Sequence, residues 1–257
     1  MNFLQEILTD TRRRVAVRRA RRPLTELERI AADRPEPPDF TAALRRPGIR
    51  IIAELKCASP SRGVIRKEYP VAELAGQLES NGAAALSVLT EESRFRGSLY
   101  DLESAAGAVK IPLLRKDFIV DPYQIVEARC AGASAVLLIA AALDRGHFAE
   151  LAACARENGL AVLAEAHSAP EVERLLALEM PIIGVNARDL TDFRCSLSHS
   201  AELLRMIPDD RIAVAESAIS SRDEIEHLRE SGAAAFLIGE TLMRSPRPGE
   251  RLAELLK

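Results

Sequence analysis

Two charged residues follow a buried run in the stretch RIIAELKCASPSRGV, which covers residues 50 to 64. Glu54 and Lys56 are two positions apart, so in a strand their side chains point to the same face. Moving a carboxylate or an ammonium group out of water is costly unless the group is paired. The pair therefore needs either a partner or a function.

The same arrangement recurs at the ends of four later apolar runs. In each run the polar residue shares its parity with an apolar or small neighbour, as Glu165 does with Leu163. The four polar residues are Lys116, Glu165, Asn186 and Glu216. We predict that five strands bring these side chains, together with Glu54 and Lys56, to one mouth of the fold.

Such groups can transfer protons between a substrate and the protein. Carboxylates and ammonium groups that converge from separate strands are typical of a catalytic site, because perturbed charges collect at functional sites. The alternative is a buried ion network that only neutralises itself. A metal site built from the carboxylates and Asn186 is disfavoured, because Lys56 and Lys116 already supply positive charge where a divalent cation would bind.

Eight short apolar runs follow one another from residue 50 onward and predict eight strands. They are RIIAEL, AALSVLT, IPLLR, SAVLLIA, LAVLAEA, PIIGVN, RIAVAES and AAFLIGE. The stretches between them are amphipathic, rich in Ala, Glu, Arg and Leu, and predict helices. Alternation of apolar strands with helices indicates an α/β fold with a covered parallel sheet, and eight even units favour a closed (β/α)8 TIM barrel. The alternative is an open doubly wound sheet, whose G-x-G-x-x-G turn is missing here.

The chain length suits one barrel of about 250 residues as well as two modest domains. Residues 1–47 precede the repeat. They begin with Phe3, Leu4, Ile7 and Leu8 at helical spacing, which the proline-rich segment RPEPPDF interrupts. A segment of this length seldom holds a core alone. We therefore predict a single domain over residues 1–257, of which 1–47 form an N-terminal helical extension.

Seven arginines crowd into residues 11 to 22, TRRRVAVRRARR. An RNA-binding or acid-binding segment is one interpretation, but apolar residues interrupt the run and acidic residues flank it. A solvated helix face is favoured. The net charge of −3 and the pI near 5.9 also disfavour nonspecific nucleic-acid binding.

Other sequence features point to a cytoplasmic protein without a metal site. The sequence shows neither an apolar stretch of about 20 residues nor the apolar core of a signal peptide. Cysteines and histidines are scattered without the paired spacing of zinc sites or redox dithiols. The cysteines are expected to be reduced thiols, and each histidine to be a surface or satisfied residue.

Small-residue turns after the strands indicate a phosphate site. The loop SPSRG follows the first strand, and AESAISSRDE and FLIGETLM lead from the last two strands into helices. In barrels of this kind the loops after strands 7 and 8 commonly bind phosphate. A phosphosugar is therefore the expected substrate class.

Six segments in order resemble the indole-3-glycerol phosphate synthases of tryptophan biosynthesis. They are IIAELKCASPSRG, SVLTEESRFRGSLYDL, PLLRKDFIVDPYQI, IIGVNARDL, VAESAI and FLIGETLM. The resemblance covers essentially the whole chain. It implies a lyase that takes 1-(2-carboxyphenylamino)-1-deoxyribulose 5-phosphate, closes the pyrrole ring and releases carbon dioxide and water. It implies no cofactor and no metal.

The resemblance also implies roles for the polar cluster. Lys116 is expected to be the general acid that protonates the ribulose carbonyl, and Lys56 to bind the substrate carboxylate and assist proton transfer. Glu165 is expected to be the partner acid or base for dehydration. The residues expected to order this network and bind the sugar hydroxyls are Glu54, Asn186, Glu216 and Ser217.

A second implied group binds the rest of the substrate. Phe95 and Phe118 are expected to contact the anthranilate ring, and Arg188 to brace the network. The phosphate is expected to be bound by Ser59 and by backbone N–H groups around Ala218, Gly239 and Glu240.

The pKa of Lys116 decides whether it can act as an acid. An ordinary lysine, with a pKa of about 10.4, is a weak acid near pH 7. Lys56 and partial burial should lower the pKa of Lys116, whereas the carboxylates oppose them.

Three positions concern the fit to this family. Ala218 stands where the family generally has glycine, so its Cβ can crowd a phosphate or disfavour a positive φ. Ala187 stands where Asn or Ser is usual and cannot hydrogen-bond through its side chain. At Glu240, as in many relatives, the acidic side chain must turn away from the phosphate.

Two alternative functions are compatible with the residues alone. One is another phosphosugar enzyme on the same barrel, either an isomerase or an aldolase in which Lys56 or Lys116 forms a Schiff base. The other is a non-catalytic barrel that binds phosphorylated metabolites. For the oligomeric state, which the sequence leaves open, a monomer is favoured.

Overall fold

Eight parallel strands form a closed barrel in the computed structural model, which describes residues 3–188 and 194–257. The strands are β1 (Ile51–Leu55), β2 (Ala85–Leu89), β3 (Leu113–Lys116), β4 (Ala135–Ile139), β5 (Ala161–Ala166), β6 (Ile182–Asn186), β7 (Ile212–Glu216) and β8 (Ala235–Ile238). Each strand pairs with its neighbours along the chain, and β8 pairs with β1 to close the ring. The predicted (β/α)8 barrel is confirmed, and the open-sheet alternative is wrong.

Helices precede the barrel and connect its strands. The N-terminal helices are α1 (Phe3–Arg21), α2 (Leu24–Ala32) and α3 (Phe40–Arg45). The later helices are α4 (Val71–Ser80), α5 (Leu99–Ala108), α6 (Pro122–Cys130), α7 (Arg145–Glu157), α8 (Ala169–Ala177), α9 (Leu197–Leu204), α10 (Arg222–Glu230), α11 (Glu240–Met243) and α12 (Pro248–Leu256). A 3-10 turn (Ala140–Ala142) and an antiparallel ribbon (Ala58–Ser59 with Gly63–Val64) complete the described elements.

The strands are buried on both faces, which explains their nearly continuous runs of Ile, Leu, Val and Ala. Residues of one parity, such as Ile52 and Leu163, fill the inside of the barrel. Residues of the other parity, such as Ala53 and Leu55, pack against the helices. Full burial of one such aliphatic side chain contributes about 1.5–3 kcal/mol, so the barrel wall is a rigid support for polar groups at its rim.

Several helix ends carry the local sequence signals that begin or end a helix. The side chains of Asp121 and Ser221 accept hydrogen bonds from first-turn amides of α6 and α10. Ser168 directly precedes α8 but makes no capping hydrogen bond with its side chain. Gly82 and Gly159 follow α4 and α7 with φ of 97° and 69°, the left-handed conformation that ends a helix before the next strand.

The arginine-rich helix α1 is docked on the barrel through ion pairs. Arg14 Nη2 lies 2.6 Å from Glu91 Oε1, and Arg18 Nε lies 2.8 Å from Glu127 Oε1. Arg13 is exposed, as a solvated face requires. The solvated-face interpretation is wrong for Arg14 and Arg18, because barrel carboxylates far away in sequence meet this side of the helix.

Apolar residues of the N-terminal extension join the packing of the barrel. Ile7 and Leu8 of α1 belong to the main hydrophobic core, while Val15 and Leu27 form a second cluster with Tyr123 of α6. The extension therefore buries its apolar surface against the barrel, as a segment of its length requires.

Candidate active site

A cavity of about 710 Å³ opens at the carboxyl ends of the strands. All the site residues expected from the sequence line it: Glu54, Lys56, Ser59, Phe95, Lys116, Phe118, Glu165, Asn186, Arg188, Glu216, Ser217, Ala218, Gly239 and Glu240. The inward parity of the strands and their closure into a ring bring these positions together from distant parts of the chain.

Lys116 lies at the centre of the polar floor of this cavity. Its Nζ donates a hydrogen bond of 2.8 Å to Glu165 Oε2 and lies 3.4 Å from Glu216 Oε2. Burial lowers the pKa of Lys116, but the charges of Glu165 and Glu216 outweigh burial and raise this pKa above the ordinary lysine value. The balance expected from the sequence is thus decided by the carboxylates, and Lys116 carries its proton in the unliganded protein.

The two glutamates beside Lys116 have pKa values shifted in opposite directions. Burial raises the pKa of Glu165, but the charges of Lys116 and His167 overcome this effect and lower the pKa below the ordinary value. Burial raises the pKa of Glu216, and the negative charge of Glu165 adds to that effect although Lys116 opposes it. Glu165 is therefore a carboxylate at neutral pH, while Glu216 keeps its proton to higher pH than an ordinary glutamate does.

Two glycines provide the space that the glutamate side chains occupy. A Cβ at Gly184 of β6 would overlap Glu216 Oε1, and a Cβ at Gly239, after β8, would overlap Glu54 Oε1. Glu54 in turn accepts a hydrogen bond of 2.5 Å from Lys56 Nζ. The positions of both carboxylates thus depend on a missing side chain in a neighbouring strand or its loop.

Another part of the cavity wall has a strained backbone and several arginines. Ser217 and Ala218 have φ of 67° and 58°, so alanine keeps here a conformation that favours glycine. Glu240 Oε1 lies 3.2 Å from Arg62 Nε and 3.4 Å from Arg244 Nη1. The acidic side chain is therefore engaged by cations of the cavity wall.

Two aromatic rings also line the cavity and form its aromatic wall. The centroids of Phe95 and Phe118 are 6.5 Å apart, with ring planes inclined by 41°. The loop before Phe95 is fixed by Glu91, whose carboxylate accepts hydrogen bonds from the amides of Ser93, Arg94 and Phe95. Arg14 of α1 binds the same carboxylate, so the N-terminal helix is connected directly to the aromatic wall.

The buried arginine of β3 fixes the other ring. Arg115 Nη2 donates a hydrogen bond of 2.9 Å to Asp117 Oδ2, and Asp117 Oδ1 accepts the amide hydrogen of Phe118. Thr90 Oγ1 donates a further hydrogen bond of 2.7 Å to Asp117 Oδ2. This network ties the chain after β3 to the chain after β2.

Sequence reasoning missed several residues at this mouth. Glu91 follows the run SVLT in the same manner as Glu54 follows RIIA, so its position was available as a signal. Arg62 and Arg244 lie in loop or helix-end positions without a repeating pattern. His167 was expected to be a surface or satisfied histidine, but its side chain is 11% exposed and faces Glu165 Oε1 at 3.4 Å.

Two kinds of feature are missing from residues 3–188 and 194–257. No group of three or more His, Cys, Asp or Glu side chains in these ranges is arranged to hold a metal ion. None of their helices has the length and apolar character needed to cross a membrane.

Comparisons with known proteins agree across nearly the full chain. A family model described as indole-3-glycerol phosphate synthase matches residues 4–255. A protein of that name from Koribacter versatilis is 48% identical over 256 residues, covering 98% of each chain. One from Albidiferax ferrireducens is 45% identical over 260 residues, covering 99% of this chain and 98% of the relative.

Solved structures support the same architecture at low sequence identity. A mutant tryptophan synthase alpha-subunit from Pyrococcus furiosus has a TM-score of 0.61 at 14% identity, covering 80% of this chain and 97% of that chain. A thiamine phosphate pyrophosphorylase from the same organism has a TM-score of 0.59 at 14% identity, covering 80% and 93%. At such identities the likeness shows the fold alone.

Proposed function

The chain belongs to the indole-3-glycerol phosphate synthase family, and from this membership we propose how its residues carry out the reaction. The enzyme is a carboxy-lyase. It converts 1-(2-carboxyphenylamino)-1-deoxyribulose 5-phosphate to indole-3-glycerol phosphate, with release of carbon dioxide and water.

Lys116 is the general acid of ring closure in this proposal. As the aromatic carbon attacks the ribulose carbonyl, the ammonium group donates a proton to the carbonyl oxygen. The contacts with Glu165 and Glu216 support this role, because they keep the lysine protonated before the substrate arrives. A donor placed 2.8 Å from a neighbouring base is also within the range of proton transfer between them.

Glu165 is the base of the dehydration step. Its lowered pKa makes it a carboxylate, which can remove a proton from the substrate methylene carbon while the hydroxyl leaves as water. Glu216, which keeps its proton to higher pH than an ordinary glutamate does, can donate a hydrogen bond to a sugar hydroxyl. Asn186 and Ser217 line the cavity nearby and complete the contacts to the sugar.

Lys56 binds the carboxylate that is lost as carbon dioxide. Its pairing with Glu54 holds the ammonium group in the cavity with its side chain 16% exposed. Phe95 and Phe118 enclose the anthranilate ring, since their tilted pair forms the apolar wall. Arg188, whose amide donates to Asn186 Oδ1 at 3.0 Å, braces the network from two positions further along the chain.

The phosphate occupies the end of the cavity that Ser59, Ala218, Gly239 and Glu240 line. Ser59 offers a hydroxyl, and the left-handed turn at Ser217 and Ala218 presents backbone N–H groups. Arg62 and Arg244 add positive charge at this end. The side chain of Glu240 pairs with these arginines, so they partly neutralise its charge at this end.

The remaining proposals concern the protein as a whole. Residues 1–257 form one domain, since the extension shares the barrel core. The protein acts in the cytoplasm as a monomer, binds a small phosphosugar rather than nucleic acid, and needs no cofactor. The pairing of Lys116 with Glu165 is the observation that carries the proposed mechanism.

The test combines product formation with one variant. Wild-type protein incubated with the carboxyphenylamino deoxyribulose phosphate should develop indole fluorescence. Lys116→Met should abolish turnover while substrate binding remains measurable, because methionine has similar length but no proton to donate. Lys110→Met changes an exposed lysine and is the control. Normal turnover by Lys116→Met would remove this lysine from the mechanism.

A further inference from the structure

His167 lies directly after β5 and faces the proposed catalytic pair from behind. Its Nε2 is 3.4 Å from Glu165 Oε1, and its Nδ1 is 3.8 Å from Glu171 Oε2 on α8. Glu171 also accepts the amide hydrogen of His167 at 2.7 Å, which holds the imidazole between the two carboxylates. The charged groups thus alternate in the order Lys116, Glu165, His167 and Glu171.

This row leads from the barrel interior toward the surface. The side chain of Glu165 is 1% exposed and that of Lys116 is 14% exposed, whereas that of Glu171 is 21% exposed. Neither ring nitrogen of His167 has a hydrogen-bond partner among the residues that the structure describes. A buried imidazole whose nitrogens make no hydrogen bond lowers the stability of the protein. Its placement beside Glu165 therefore indicates a function.

The proton balance of the reaction supplies such a function. The carbonyl oxygen leaves as water and therefore takes up two protons, while the substrate methylene gives up one. The carboxylate leaves as carbon dioxide, and the electrons of its bond to the ring restore aromaticity without a proton. Each turnover therefore consumes one proton from solvent, at a time when the substrate fills the mouth above Lys116.

We propose that His167 is the residue through which this proton returns to Glu165 and Lys116. The imidazolium gives its Nε2 proton to Glu165 Oε1, and Glu165 passes a proton to Lys116 across their 2.8 Å contact. The neutral imidazole keeps its Nδ1 proton and must be reloaded at Nε2. The ring turns about its Cβ–Cγ bond to bring Nε2 to the solvent side beside Glu171, takes a proton there and turns back. His167 contacts no substrate in this scheme and is a positioning and proton-transfer residue.

The surroundings of the ring suit this task. Glu165 of β5 and Glu171 of α8 face it directly, Lys116 of β3 lies beyond Glu165, and His199 Nε2 of α9 contacts the His167 carbonyl oxygen at 3.2 Å. Burial lowers the pKa of His167, but Glu171 and Glu165 outweigh burial and raise this pKa above the ordinary imidazole value. The ring therefore keeps its second proton to higher pH than an ordinary imidazole does.

The inference rests on the proposed roles of Lys116 and Glu165. The experiment distinguishes failure of the His167 inference from failure of those proposed roles. The variants are His167→Asn, Glu171→Gln as a milder change that keeps an acceptor for the His167 amide, and His227→Asn as a control on an exposed histidine. The readouts are kcat and KM across pH, with and without added imidazole. Indole fluorescence reports turnover.

His167→Asn should lower kcat by about tenfold or more with KM changed by less than about twofold, and added imidazole should restore part of kcat. Glu171→Gln should move the alkaline limb of the kcat profile to lower pH, because one of the charges that raise the pKa of His167 is lost. His227→Asn should behave as wild type. A change confined to packing would neither respond to imidazole nor shift the profile.

The proposal is overturned if His167→Asn retains kcat within about twofold, or if its loss of kcat is insensitive to imidazole. It is also overturned if Glu171→Gln leaves the alkaline limb in place. Normal turnover by Lys116→Met would instead show that the proposed role of Lys116 is wrong. That measurement does not depend on the His167 variants.

Discussion

Gly184 lies beside the carboxylate of Glu216, so closely that a Cβ at position 184 would overlap Glu216 Oε1. The two residues are on neighbouring strands, and Gly184 is level with Val214, two positions before Glu216. The absence of a side chain on β6 therefore determines where an acidic group of β7 can lie. This relationship leads to the first prediction.

Gly184→Ala should lower kcat at least about tenfold and lower the free energy of unfolding by about 1–3 kcal/mol, because Glu216 must move or the strands must separate. Steady-state kinetics and urea unfolding test this. Gly107→Ala on α5 is the control, since a Cβ there meets no atom within 4 Å. Unchanged kinetics in Gly184→Ala would show that the position of Glu216 is not critical.

Ala218→Gly should stabilise the protein by about 1 kcal/mol, because a left-handed φ costs an L-residue roughly 1–2 kcal/mol, less the greater chain entropy of glycine. It should also lower KM, since removal of the Cβ opens the phosphate end. Ala155→Gly within α7, at an ordinary helical position, should instead destabilise the protein by about 1 kcal/mol. Thermal unfolding measures the change in stability of each variant relative to wild type. Changes of the same sign in the two variants would contradict the prediction.

Glu91→Gln should weaken stability at neutral pH and raise KM, because the loop before Phe95 loses a charged acceptor. Burial raises the pKa of Glu91, but the hydrogen bonds from Ser93 and Arg94 and the charge of Arg14 overcome burial and lower this pKa. A carboxyl group whose pKa is lowered by folding stabilises the folded state at pH values above its ordinary, unfolded-state pKa. This contribution is lost as the pH falls through its folded-state pKa.

Urea unfolding at pH 7 and pH 4 measures this effect. The difference in stability between wild type and Glu91→Gln should shrink at the lower pH. Arg13→Gln, at a side chain that is 80% exposed, should change stability by less than about 0.5 kcal/mol. A difference that stays constant with pH would mean that the charge of Glu91 contributes nothing.

Glu240→Gln should strengthen the inhibition by inorganic phosphate severalfold. Loss of the carboxylate releases Arg62 and Arg244 from their present partner and removes a negative charge that repels the dianion. Glu250→Gln, which affects an exposed pair with Arg247, is the control. The test compares the phosphate inhibition constants of wild type and both variants at one ionic strength. Weaker inhibition of Glu240→Gln would mean that Glu240 helps phosphate to bind.

Much of this arrangement was predictable because strand parity and barrel closure are strong constraints. Once Glu54 is assigned to a buried strand, its inward direction follows, and the same test places Glu165 and Glu216. The docking of Arg14 was not predictable, since its partner Glu91 is 77 positions away and the charge run has no periodic signal.

His167 shows a different limit. Its spacing to Glu171 is visible in the sequence, but a single histidine gives no indication that it is buried. Its contact with Glu165 depends on how the chain leaves β5. The direction of the Lys116 pKa was likewise unresolved before the structure, because burial and carboxylates act in opposite senses and only distances decide between them.

The consecutive left-handed residues Ser217 and Ala218 have a consequence for how the proposed phosphate site would bind its ligand. Two adjacent amides in this conformation form a concave turn before any anion arrives, and the cost of bending the chain is met during folding. The ligand then has little loop entropy to remove on entry. We expect the lifetime of the complex, rather than its rate of formation, to respond most to changes at this turn.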